Sequence, residues 1–419
     1  MTIERICSPA TNPARRRLLT GFVATGALGA LSFAVPTRAQ AGVLKVGCLL
    51  PLSGGLGAYG LQTKRGSDLG VRVLQEASAR FEVHYADTAS DAAAGATAVE
   101  RLVRGGCTLL VGAWDSATTL VAARAAETAR VPLFVNIAAA PAITAQGLAY
   151  VFRNFPTATQ LVGNALDAIA ALPRSADFAP KRAVLMHVDD TFGQGIAAEL
   201  RARWNAGALG MALAATVSYD ARARDFAAEV GKAKATQADV LCLVSRVDDA
   251  VAIVREMAKQ AFEPLAIVGP AAPAGYEQGF ADALGAYADD YLACVPWLDF
   301  SQPMAKRVLR WWQQLYPNLR MELNAGFGFE GMLVAVEALR RARSTRPDDL
   351  REALRHTNIE NHIMLGAPIR FDRDGQNNGI ASALVQIRER RALVVAPHYA
   401  RQADVRLPMR KWRERSAGA

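Results

Sequence analysis

The chain has 419 residues, 51% of them hydrophobic and 21% charged, with a formal net charge of +9. Such a composition excludes a disordered or low-complexity chain and supports a large core, and the length favours two domains over one. Residues 1–41 read as a removable export signal. Arg15, Arg16 and Arg17 precede Leu18 and Leu19, a Gly/Ala-rich apolar run follows from Gly21 to Val35, and Ala39-Gln40-Ala41 gives a small-x-small cleavage site. The run is too short for a stable membrane anchor. The arginines before two leucines resemble a twin-arginine signal, with a Sec signal as the plain alternative. Without residues 1–41, which hold five arginines and one glutamate, the charge falls from +9 to +5. No basic block carries interleaved aromatics, so nucleic acid is not an expected partner. The C-terminal arginines from Arg401 to Arg415 read as a solvated surface.

Beyond the signal, an apolar run from Val46 to Leu50 ends at Pro51. A loop with Gly54, Gly55, Gly57 and Gly60 follows, and apolar residues return at helical spacing at Leu69 and Val73. Strand, glycine-rich loop and helix open an α/β domain with parallel strands. Strands are expected over 80–86, 108–111 and 132–135, with helices over 92–103 and 117–129 between them. Phe152-Arg153-Asn154-Phe155-Pro156 breaks the pattern and reads as a crossing to a second alternation. Its strands are expected over 183–188, 212–217, 240–244, 265–268 and 290–295, with helices over 225–234 and 248–259. Asp189-Asp190-Thr191-Phe192-Gly193 turns into a further helix, capped by Asp190 or Thr191. Pro296-Trp297 marks a second crossing, before helices over 304–315, 325–342 and 347–356. Gly366-Ala367-Pro368 marks a third, before short strands over 369–371, 382–387 and 392–395. Trp311 and Trp312 lie on an amphipathic helix and read as packing.

Cys48, Cys107, Cys242 and Cys294 each lie in or beside an apolar run, and none stands in a CxxC or Cys/His spacing. A metal site is not expected, and buried free thiols are favoured over a pair oxidised after export.

Several segments together resemble the type I periplasmic binding proteins, in particular the leucine/isoleucine/valine-binding receptors of ABC importers. They are VGCLLPLSGGLGAYG, VPLFVNIAAAP, VFRNFPT, DDTFGQG, ARDFAAEVGKAKATQADVLCL and IRFDRDGQNNG, in family order across nearly all of residues 43–400. The resemblance implies an α/β fold of two Rossmann-like lobes with parallel-rich sheets, joined by three crossing segments. Lobe one is expected over 42–155 and 296–366, lobe two over 156–295 and 367–400, and a basic tail over 401–419. It also implies a periplasmic receptor that catalyses nothing and needs no cofactor. Such a receptor closes on a small-molecule ligand and delivers it to an ABC permease in the inner membrane. A periplasmic sensor of the same fold, feeding a signalling partner, is the alternative.

Carried over position by position, the resemblance assigns ligand contacts to Tyr59 in the first loop and to Ser116 at a helix start, where the family holds a carboxylate. Ala138 and Ala139 precede Pro141, where amino-acid binders often have a threonine. Phe192 replaces a tyrosine in the lobe-two turn, and Arg246 follows the Cys242 strand. The family's acidic residue for a ligand ammonium falls near Ala271. A buried cation needs a paired anion, and the substitute would have to be Asp115 or another carboxylate. Arg246 offers a planar fork to a carboxylate. The expected ligand is therefore a small organic acid, with an amino-acid-like solute left open, and with Tyr59, Trp114 and Phe192 as aromatic walls.

Two competing readings rest on less. Gly55-Leu56-Gly57-Ala58-Tyr59-Gly60 matches GxGxxG, and Asp87 follows the second strand, as in a dinucleotide site. Pro51, however, separates these glycines from the strand. An enzyme reading finds no GxSxG or HExxH, and the five histidines are scattered.

Overall fold

The structure, a computed structural model, describes residues 43–75, 81–172, 175, 177–207 and 209–416. The expected export signal, with Cys7, lies outside the described residues. Among the described residues no helix is long and apolar enough to cross a membrane.

The first lobe is built on a parallel sheet of β1 (Leu44–Leu50), β2 (Phe81–Asp87), β3 (Leu109–Val111), β4 (Leu133–Val135) and β5 (Val151–Arg153), in the order β2-β1-β3-β4-β5. The connecting helices are α1 (Gly57–Gln75), α2 (Ala94–Arg104) and α3 (Ser116–Ala129). β3, β4 and β5 are buried along their whole length. That explains why they read as unbroken apolar runs rather than alternating ones.

Gly57 and Gly60 lie inside α1, not in a loop. A Cβ on Gly60 would stand 1.9 Å from the Pro51 carbonyl oxygen. The glycine therefore serves close approach of helix to strand end, not turn flexibility. Asp87 accepts from the Leu52 and Ala89 amides at 2.8 and 2.7 Å and from the Ser53 hydroxyl at 2.6 Å. Partial burial opposes its charge, but these bonds hold its carboxyl below the usual range. The residue that a dinucleotide site would aim at a ribose is thus committed to tying two loops together.

The second lobe carries α4 (Ala158–Ala170), β6 (Arg182–Val188), α5 (Thr191–Asn205), β7 (Ala212–Tyr219), α6 (Ala227–Ala235), β8 (Val240–Val244), α7 (Val247–Lys259), β9 (Ala266–Pro270), α8 (Gln278–Leu284) and β10 (Leu292–Pro296). With β11 (Ser382–Arg388) and β12 (Arg391–Ala396), these strands form a sheet in the order β12-β11-β10-β9-β8-β6-β7. Only β11 and β12 run antiparallel to their neighbours. α4 and α8 were not expected. The signal for α4 is a capping box, in which Thr157 and Gln160 satisfy each other's backbone amides.

Between the lobes' last strands the chain returns to the first lobe as α9 (Pro303–Leu315), α10 (Leu323–Ala342) and α11 (Pro347–Arg355). Trp312 is fully buried on α9, and its indole donates to the Leu319 carbonyl at 2.8 Å. α10 packs on α1 with almost no side chain between them. Added Cβ atoms on Gly66 and Gly328 would stand 1.8 and 2.1 Å from the facing backbone carbonyls of Ala325 and Thr63.

One buried carboxylate ties the crossings together. Glu330 on α10 accepts from the Asn154 amide group at 2.7 Å and from the Ile363 and Met364 backbone at 3.1 and 3.2 Å. Asn377 donates to Asn154 at 2.7 Å, and Met364 forms a bridge with Leu298. All three strands that link the lobes therefore meet at this carboxylate. Burial disfavours a charged His362, yet the adjacent Glu330 outweighs it and raises the imidazole above its ordinary value.

Two expectations are corrected here. The expected strand over 369–371 is a single bridge between Ile369 and Ile359, and Phe371 packs edge-on against Phe134 and Phe152. The chain therefore still packs on the first lobe at Phe371, beyond Gly366. Residues 401–416, expected as a solvated basic tail, fold against the second lobe and end in α12 (Trp412–Ser416), with Met409 and Trp412 buried. Fully buried Asp290 pairs with Arg406 at 3.4 Å and Arg410 at 2.9 Å. Arg415 is buried too, and burial pulls its guanidinium down to about 10. Cys48, Cys107, Cys242 and Cys294 are buried and free.

Candidate functional site

Parallel α/β sheets leave their ligand sites beyond the carboxyl ends of the strands. Here the strand ends of both lobes face one cavity of about 490 Å³, its mouth included. From the first lobe, the segment after β3 supplies Trp114, Asp115 and Ser116, and the segment after β4 supplies Ile137, Ala138 and Ala139. From the second, Phe192 follows β6, Arg246 follows β8, and Ala271 and Tyr276 follow β9. Phe155 and Leu161 close the side nearest the first crossing.

The backbone is strained where it meets the cavity. Trp114, Ala138 and Ala271 have φ of +91°, +112° and +58°, a region that residues with a side chain avoid. Such outliers persist only where the surroundings hold them, and they gather at functional sites.

Six of the seven residues expected at the site line this cavity: Asp115, Ser116, Ala138, Ala139, Phe192 and Arg246. Tyr59 does not. It sits in the first turn of α1 and stacks behind Trp114, with ring centroids 4.6 Å apart. Its hydroxyl accepts the Val247 amide at 3.0 Å, joining the first lobe to the start of α7 in the second. Tyr59 thus supports the cavity wall and bridges the lobes. Burial, the largest influence on its phenol, pushes the ionisation upward, so the hydroxyl stays neutral.

The polar groups are few. Asp115 caps α3, one carboxylate oxygen accepting the Thr118 amide at 2.9 Å, while its other oxygen is buried with no partner. The Ser116 hydroxyl accepts the Ala140 amide at 3.3 Å. Arg246 meets Asp190 at 2.6 Å, and Asp190 also caps α5 through the Gly193 amide at 2.8 Å. Burial works against the guanidinium, but the Asp190 carboxylate holds it above its ordinary value. The guanidinium also lies over the Phe192 ring, 5.5 Å from the centroid.

Arg153 belongs to the first crossing. It is fully buried and donates to the Ala138 and Ala140 carbonyls at 3.2 and 2.7 Å, behind the segment that lines the cavity. Its other partners are Gln376 at 2.6 Å and Thr144 at 2.8 Å, and among the described residues no carboxylate pairs with it. Burial lowers it to about 9, so it remains charged at neutral pH. The sequence signal was the arginine itself, set between apolar residues at the end of a strand. Ile137, Phe155, Leu161 and Tyr276 were also missed, because their meeting depends on how the lobes close. Among the described residues no group of His, Cys, Asp and Glu is arranged to hold a metal.

Known proteins share this architecture. A Leu/Ile/Val-binding protein homolog from Brucella abortus is 26% identical over 408 residues, covering 93% of this chain and 98% of that protein. The isoleucine complex of a branched-chain amino acid transporter substrate-binding protein from Streptococcus pneumoniae superposes with a TM-score of 0.73 at 20% identity, over 88% of this chain and all of the other. A solute-binding protein of an ABC transporter from R. palustris, in complex with benzoate, gives 0.72 at 16% identity over 87% and 98% of the two chains. Residues 43–392 match the profile described as periplasmic binding protein, and with two α/β lobes closing on one cavity the chain belongs to that family, as a binding protein and not an enzyme.

Proposed function

We propose that this protein is the periplasmic receptor of an ABC importer and that its ligand is a small organic acid with an apolar, preferably aromatic, body. The observation that carries the reading is the make-up of the cavity. Its walls are Trp114, Phe155, Phe192 and Tyr276 with aliphatic neighbours, and among the described lining residues Arg246, paired with Asp190, is the cation and Asp115, which caps α3, is the acid. Ala271 fills the position after Gly269-Pro270, so that strand end offers no carboxylate to an ammonium. Arg153 adds a second positive charge behind the Ala138–Ala140 wall. A carboxylate would be drawn to the guanidinium and to the amides that open α3 at Ser116. The solved relatives include both kinds of ligand, isoleucine in one and benzoate in another.

Binding closes the lobes, and the closed form is what a membrane permease recognises. A ligand shifts that equilibrium only by its differential affinity for the two forms. Export by a cleavable signal, twin-arginine or Sec, brings the receptor to the periplasm. Calorimetric titration of the mature protein with benzoate and with leucine tests the ligand class. Benzoate is expected to bind at least about tenfold more tightly, a difference near 1.4 kcal/mol. Tight leucine binding with no response to benzoate overturns the reading.

A further inference from the structure

Beside the cavity, two carboxyl groups meet across the lobes. Glu277 precedes α8 in the second lobe and is 8% exposed. Glu322 precedes α10 in the first lobe and accepts the Gln278 amide at 2.9 Å. Glu322 therefore holds the amide next to Glu277, and Asn324, two residues beyond Glu322, holds Glu277 itself, so the two carboxyls line one cleft as close neighbours. Asn324, fully buried on α10, donates to Glu277 and accepts the Trp114 indole N–H at 2.9 Å. The pair is thereby wired to the cavity wall.

Charged groups surround the pair, and Arg320, Arg390, Arg391, Asp282 and Glu389 line a second cleft with Glu322. Tyr59 and Arg65 face the pair from α1, Asp248 and Arg255 from α7, and Tyr276 from the turn before α8. Arg320 donates to the Gln278 side chain at 2.5 Å, and Asp282 accepts from that same amide at 2.8 Å. Among the described residues no ion pair joins Glu277 or Glu322 to any of these cations. Burial first, and the neighbouring Glu322 second, push the Glu277 carboxyl well above its ordinary 4.5.

We propose that Glu277 and Glu322 form a proton-operated latch, so that closure of this receptor takes up one proton and ligand is held more tightly in acid than in neutral solution. When the lobes part, Glu277 leaves Asn324 and Glu322, regains water and releases the proton. When they close, one proton from solvent binds Glu277, whose hydroxyl donates to the Glu322 carboxylate. The sign follows from the raised ionisation of the closed form. Closure is fully favoured below the open-state value and weakens as pH rises toward the closed-state value, by up to about tenfold per pH unit for one proton. The inference rests on the receptor reading above, but not on the identity of the ligand.

Two measurements on the mature chain test it. Benzoate titrations from about pH 5.5 to 8 keep the probe ionised, so its own proton does not contribute. Affinity is expected to fall with pH, with buffer-dependent heats reporting uptake of about one proton. Glu277→Gln keeps a donor to Glu322, and its affinity is expected to stay flat at the acid-side value of the parent. Glu322→Gln removes the like charge and is expected to shrink the slope, which covers the case in which the first variant folds poorly. Small-angle scattering of the ligand-free protein reads closure directly: the parent is expected to expand as pH rises, and Glu277→Gln to keep one radius. If benzoate fails to bind but the scattering contrast appears, the ligand class is wrong and the latch stands. A parent that is pH-independent in both measurements, or a Glu277→Gln protein with the parent's slope, overturns the latch.

Discussion

Tyr59 shows what a single side chain does here. Its ring is fixed against Trp114 at 4.6 Å, and its hydroxyl reaches the Val247 amide in the other lobe. That hydrogen bond exists only when the lobes meet, so it adds to the closed form and not to folding of either lobe. Tyr59→Phe keeps the stack and loses the bond. The expected result is a ligand affinity about fivefold weaker, near 1 kcal/mol, with an unchanged thermal midpoint for the unliganded protein. Equal affinity in parent and variant shows that the bond is not part of the closed form. The sequence marked Tyr59 as a site residue but assigned it to a loop. Glycines at 55, 57 and 60 carry that error, because a glycine that admits a neighbouring backbone looks identical in sequence to one that makes a turn.

At the scale of elements, the α1–α10 contact frames the first lobe. Gly66 and Gly328 let the two helix backbones approach, and neither can take a methyl group without moving the other helix. Gly328→Ala should lower stability by about 2 kcal/mol or more through overpacking, read as a lower urea midpoint. Gly195 on α5 has nothing within 4 Å of an added Cβ. There the same substitution should stabilise by about 0.5–1 kcal/mol, since only helix propensity changes. If Gly328→Ala is neutral, the helices are not in backbone contact. The apolar periodicity located α1 and α10, but their close approach was invisible, because it depends on two residues about 260 positions apart.

For the whole molecule, the C-terminal arm completes the second lobe. Asp290 is wholly buried and depends on Arg406 and Arg410 for its charge balance. Removing residues 398–419 leaves that carboxylate without either arginine. Breaking a buried pair from one side costs about 3–5 kcal/mol, so the truncated protein should melt well below the full chain. Adding Asp290→Asn to the truncated chain should recover part of the loss, because an amide needs no counter-ion. Truncation without loss of stability shows that the arm only decorates the lobe. Composition had suggested a solvated tail, since arginine is usually exposed. The apolar anchors Met409 and Trp412 were the sign that it packs.

The sequence by itself determined the alternation of strands and helices, the two-lobe family fold and most of the cavity residues. Unbroken apolar runs mark buried parallel strands, and residues just after such strands fall at their carboxyl ends. It also named Arg246 and Ala271, and both line the cavity. Only the tertiary structure decided that Tyr59 stands behind Trp114, that Arg153 lies charged beneath the Ala138–Ala140 wall, and that Glu277 meets Glu322. Each of these joins residues far apart in the chain across a lobe interface or a buried layer. Local pattern reports which face of an element is buried; what that face meets is fixed by packing.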